Sequence, residues 1–112
     1  MNNTVRVVRK NEARIFMEGD EQCREYIKTE KILFGTSTLF PGQKGAVDHG
    51  HPNSHEVFYV VSGCVACHIP DKNIYVELGE GDIVLIEEGV PHVLINVGDG
   101  KAVVSWSCAP TP

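Results

Sequence analysis

Four of the five histidines sit in two short stretches of the chain. The first reads His49-Gly50-His51-Pro52-Asn53-Ser54-His55-Glu56, and the second is His92, directly after Gly89-Val90-Pro91. On an extended segment, side chains at i and i+2 point the same way, so His49 and His51 are expected to converge. Pro52-Asn53-Ser54 turns the chain, and Glu56 opens the next strand. If that strand pairs back, Glu56 faces the same interior, and a barrel can bring His92 there from a later strand. Three neutral imidazoles and one carboxylate form a borderline donor set. It suits one divalent Fe, Mn, Ni, Co or Zn ion, and not Ca or Mg. Positions left open on such an ion are where water or substrate binds.

His55 precedes Glu56, and neighbouring strand residues face opposite sides, so the two do not both reach one ion. A register shifted by one residue puts His55 in place of Glu56. Otherwise His55 is a rim residue and a candidate proton shuttle, because its charge changes near neutral pH. Cys64-x-x-Cys67 invites a redox reading, but that chemistry needs the thiol-acidifying start of a helix. Here the motif falls in a strand, where i and i+3 face opposite sides. Parity with Val65 and Ile69 turns Cys67 inward as a pocket candidate. Phe58, Val60, Leu85, Leu94 and Trp106 read as core, with Phe58 and Trp106 also candidate cavity walls. The sequence shows no Ser/His/Asp order, phosphate loop or second CxxC.

These side chains must be carried by short strands. Candidates are 4–9, 13–18, 31–40, 56–62, 64–69, 73–78, 82–87, 92–97 and 102–108, punctuated by glycine and proline. Residues 19–28 read as a loop or a poor helix. No window holds a 3.6-residue period over three turns. Many short strands at close spacing argue an all-β sandwich or barrel.

Composition narrows the classes. A chain of 112 residues is one domain, 1–112, by size. It is 42% hydrophobic and 22% charged, which excludes a disordered chain. With a net charge of −5 and no basic cluster, it is a poor partner for nucleic acid or an anionic membrane. No apolar run reaches the ~18–20 residues of a membrane span. The first residues show no apolar leader, which points to the cytoplasm, and there the four cysteines are expected to be free thiols.

The histidine segments resemble the cupin family. Its first motif runs through His49-Gly50-His51, four residues, Glu56, six residues and Gly63, about 42–63 in all. The leading glycine is displaced: Gln43 stands at its position, and Gly42 lies one residue early. The second motif, about 81–96, runs from Gly81 through Glu87-Glu88-Gly89 and His92 to Asn96, with Glu87 where the family has proline. The resemblance implies a single-domain cupin β-barrel, the double-stranded β-helix or jelly roll, of roughly eight to ten strands. It implies His49, His51, Glu56 and His92 as metal ligands, and places Asn96 near the pocket. It also implies a homodimer paired through N-terminal strands, here Thr4–Arg9.

The stretch 35–45 and the run Val90-Pro91-His92 to Asp99 are more weakly similar to archaeal cupin-type phosphoglucose isomerases. Those enzymes hold a sugar phosphate with residues that are Ala46 and Asp48 here, and use a tyrosine where this chain has Phe58. An acidic Asp48 repels a dianion. The functional expectation is therefore a metal-dependent enzyme on a small carbonyl, carboxylate or sugar-like substrate: a dioxygenase, decarboxylase, lyase or isomerase. The alternative is a non-catalytic module that binds or senses a small metabolite. Fold alone does not choose among them.

Overall fold

The computed structural model describes residues 4–112. The first three residues of the expected 1–112 domain, and that part of the leader reading, lie outside the described residues. Nine strands form among the described residues: β1 (Arg14–Glu18), β2 (Glu21–Lys28), β3 (Leu33–Leu39), β4 (His55–Ser62), β5 (Val65–Ile69), β6 (Ile74–Leu78), β7 (Ile83–Ile86), β8 (Val93–Asn96) and β9 (Ala102–Ala109). They make two antiparallel sheets, ordered β1-β2-β3-β9-β4-β7 and β6-β5-β8. The result is an all-β, single-domain jelly roll.

Alternation explains the core. In β9, Ala102, Val104, Trp106 and Cys108 are buried while the residues between them are partly exposed. Register then stacks inward residues in rows across the large sheet. One row is Leu33, Cys108 and Glu56; the next is Gly35, Trp106 and Phe58; the third is Cys23, Ser37, Val104 and Val60. Gly35 is bare because a Cβ there would lie 2.3 Å from the Trp106 ring. In the small sheet Val65, Cys67, Ile69, Leu78 and Leu94 are buried apolar residues. Segment 42–48 runs antiparallel beside β8, with Gly45 N donating to Leu94 O at 2.9 Å and Asp48 N to His92 O at 2.9 Å.

Three sequence expectations change. Residues 21–28 form strand β2, not a loop or helix: Gln22 is exposed between buried Glu21 and Cys23. One of those inward residues is charged, which masks the alternation. Thr4–Arg9 forms no strand, and Val5 and Val7 are exposed. Leu85 is not core: on the four-residue β7 it faces out opposite Val57, while Ile86 is buried.

Candidate metal centre

The site is built where β4, β8 and the 42–48 segment meet. Glu56 enters from the start of β4, and its inward position puts its carboxyl in the buried row with Cys108. His92 lies just before β8, locked by a pair of backbone hydrogen bonds to Asp48: Asp48 N to His92 O at 2.9 Å and His92 N to Asp48 O at 2.8 Å. His51 follows Gly50, whose φ of +90° is left-handed. A Cβ on Gly50 would come within 2.6 Å of the Gly89 carbonyl carbon, so only glycine lets the two turns touch.

That turn alters which side chains converge. Residues 49–51 are not a strand, so the i, i+2 rule for extended chain does not apply to them. Gly50 N donates to Asp48 Oδ1 at 2.9 Å, and Asp48 Oδ2 swings toward the site. His49 is exposed at the rim of the same cavity and stands outside the closest donor groups.

Four donors meet instead. His92 Nε2 lies 3.1 Å from Glu56 Oε1, and His51 Nε2 lies 3.6 Å from the same oxygen. Asp48 Oδ2 lies 3.5 Å from His51 Nε2 and 3.6 Å from His92 Nε2. Cys108 Sγ joins a second close group with His51 and Glu56.

Hydrogen bonding prepares the imidazole. His92 Nδ1 lies 2.9 Å from the Val90 carbonyl, an acceptor only, so Nδ1 carries the proton and donates. That turns Nε2 inward toward Glu56. Burial opposes charge on His92, but the bond to Glu56, the Val90 carbonyl and the charges of Glu56 and Asp48 outweigh it and raise its pKa. The Cys108 thiol is pushed far up by burial and by Glu56 beside it.

These groups open on a cavity of about 350 Å³, walled by Phe58, Trp106 and Leu94. The Phe58 ring stands edge-on to His92, centroids 5.5 Å apart.

Residues 35–108 match the cupin domain family. The chain is a cupin. No curated protein matches the sequence. TT1209 from Thermus thermophilus is 26% identical, with TM-score 0.73, over 83% of this cupin and 86% of that chain. A double-stranded β-helix protein from Klebsiella pneumoniae is 24% identical, with TM-score 0.80, over 96% and 91% of the two chains. A predicted oxalate decarboxylase from Thermotoga maritima is 20% identical, with TM-score 0.79, over 94% and 99%.

The close donors form two triads that share Glu56, His51-Glu56-Cys108 and Asp48-Glu56-His92, and each has the donor types for a transition-metal ion. Two donors each about 2.1 Å from an ion stand about 3.0–3.4 Å apart in octahedral or tetrahedral geometry. Of the four separations here, that of His92 and Glu56, 3.1 Å, falls in that range, and the other three, at 3.5–3.6 Å, lie just beyond it. The Val90 carbonyl supplies the outer-shell partner that such an imidazole needs.

The remaining candidates fall elsewhere. His55 is exposed, pairs with exposed Glu88 at 2.8 Å and does not line the cavity. Cys67 faces inward but is fully buried in the core and does not line the cavity. Asn96 is structural: its amide donates to Leu39 O and Gly100 O at 2.8 and 2.9 Å and accepts from Gly98 N at 2.8 Å. Sequence reasoning missed Asp48 as a donor and Glu21 as a cavity residue. The turn-forming Asp48-x-Gly50 was the available signal for the first.

Proposed function

We propose that this cupin is a divalent-metal-dependent enzyme acting on a small carbonyl, carboxylate or sugar-like substrate, in the range dioxygenase, decarboxylase, lyase or isomerase. The observation that carries the reading is the convergence of His51, Glu56, His92 and Asp48 donor atoms on the wall of one cavity. A bound Fe, Mn, Ni, Co or Zn ion would polarise a carbonyl or carboxylate oxygen, or bring dioxygen to the substrate. His92, fixed through Nδ1, presents Nε2; Glu56 and Asp48 supply negative charge; His49 stands at the rim. Phe58 and Trp106 keep water from the inner wall, where electrostatic interactions strengthen. The description of the Thermotoga maritima relative as a predicted oxalate decarboxylase is in keeping with a carboxylate substrate.

The test is elemental analysis of protein purified without a nickel column, beside His51→Ala and His92→Ala. Near-stoichiometric metal, lost in both variants, is expected. No metal, and none taken up on soaking, overturns the reading. Metal-loaded protein that is stabilised by a ligand yet forms no product would be a binding module instead; saturation at 100 times Kd stabilises by about 2.7 kcal/mol.

We also propose a cytoplasmic homodimer. Four unpaired thiols suit a reducing compartment. Exposed Ile15 and Met17 on edge strand β1 offer a second copy apolar surface. Light scattering that returns 12.3 kDa in place of twice that mass would refute the dimer.

A further inference from the structure

The cavity has a second polar end. Glu21 lines it and is 9% exposed, although a carboxyl there has no metal-site donor as its hydrogen-bond partner. Its neighbours form a directed chain. Trp106 Nε1 can only donate, and does so to Ser37 Oγ at 2.9 Å. The Ser37 hydroxyl is thereby left to donate, and its acceptor is Glu21 Oε2. Cys23 Sγ approaches the same oxygen at 3.7 Å. Glu21 Oε2 is satisfied.

Oε1 is different. Among the described residues no donor reaches it. It lies against Gly45, where a Cβ would be only 2.2 Å away, so the missing side chain makes its room. The Cys23–Ser37 row lies four residues along the strands from the Glu56–Cys108 row, about 13 Å at ~3.3 Å per residue. Phe58 and Trp106 fill the row between. One cavity thus has a metal-type end, an apolar middle and a carboxyl with one free oxygen.

We infer that Glu21 Oε1 anchors a hydroxyl at the far end of the ligand, whose other end is a carbonyl or carboxylate held at the metal centre. The metal half rests on the proposed function; the Glu21 half stands on the pocket itself. A hydroxyl both donates and accepts, so it satisfies the carboxyl whether ionised or protonated. An ammonium needs the ionised form, and a methyl leaves Oε1 without a partner. Burial raises the Glu21 pKa, against the ionised form; Ser37 and Cys23 pull it down, and Glu18 and Glu56 add to the rise.

The test titrates hexanoate, 6-hydroxyhexanoate, 6-aminohexanoate and adipate into the full chain by calorimetry, with and without metal. The hydroxyl end is expected to bind about tenfold tighter than the methyl end. That advantage should fall to near unity in Glu21→Met. It should fall likewise in Gly45→Ala, whose methyl takes the place of Oε1, and be partly kept in Glu21→Gln. Should Glu21→Met fail to fold, the other two variants decide. Equal binding of hydroxyl and methyl ends, tighter binding of the ammonium, or an advantage that survives Glu21→Met and Gly45→Ala overturns the inference. Metal content of the same samples separates the two claims. Failure to load metal sinks the metal reading, while the methyl-to-hydroxyl difference in metal-free protein still decides Glu21.

Discussion

The inward positions of β5, β6 and β8 in the small sheet carry Val65, Cys67, Ile69, Leu78 and Leu94, and one polar side chain, Asn96, whose amide is fully engaged with backbone groups. The corresponding positions of the large sheet carry Glu21, Ser37, Glu56 and Cys108 among its apolar residues. Backbone pairing and alternation are the same in both. The small sheet spends its inward positions on dispersion and hydrophobic burial. The large sheet gives up part of that to hold donors around a cavity, and buried carboxylates without full partners are unfavourable. Buried polar donors are thus weighted toward the large sheet, while the small sheet brings His92, just before β8, and Leu94 to the cavity.

The largest effect should come from the small sheet. Leu78 is 6% exposed and lies outside the cavity. Leu78→Ala is expected to cost about 2–5 kcal/mol, with Tm falling on the order of 10 °C. Metal uptake at 25 °C should be unchanged. A substitution that left Tm alone would show that the small sheet is not where stability resides.

The large sheet should answer with a smaller change. Glu56→Gln in metal-free protein removes a buried carboxylate and, with it, one of the causes that raise the His92 pKa. The expected change in stability is about 1 kcal/mol or less, of either sign, while retained metal falls sharply. Chemical denaturation beside elemental analysis reads both. A loss as large as that of Leu78→Ala, without metal present, would erase the distinction between the sheets.

How legible this was follows from the same division. Strands β4 and β9 are rich in β-branched and aromatic residues and end near turn residues, and both were readable as strands from that composition. β2 was not, because its inward Glu21 and Cys23 look like loop residues until their partners on β3 are known. Thr4–Arg9 has the residue types of a strand yet joins neither sheet. In the site, the spacing from His51 to Glu56 and the turn before His92 foretold side chains that do lie within 3.6 Å of one another. The nearness of Asp48 to the other donors was hidden, because it depends on the turn at Gly50, whose +90° φ is a backbone fact that residue spacing does not carry. Leu85 failed for a like reason: four residues of β7 alternate as well in either phase, and only pairing with β4 selects one.

The smallest effect is a pH dependence confined to the large sheet. The Glu21 carboxyl is held above its usual 4.5, burial being the main cause. Below 4.5 both folded and unfolded chains carry the proton, and its contribution to stability is complete. As pH rises past 4.5 the unfolded chain releases the proton first, and stability drains until the folded chain releases it too. Glu21→Gln cannot titrate. The Tm of the variant minus that of the wild type should therefore widen in the variant's favour from about pH 4.5 upward, then level off. Carboxylates that do not interact with Glu21 contribute equally to both proteins and cancel in the difference. The matching difference for Leu78→Ala involves no titrating side chain and should stay level across the same range. A Glu21→Gln difference that stayed level too, or narrowed as pH rose, would mean that this carboxyl is not strained by burial. The cavity end would then be as comfortable as the small sheet.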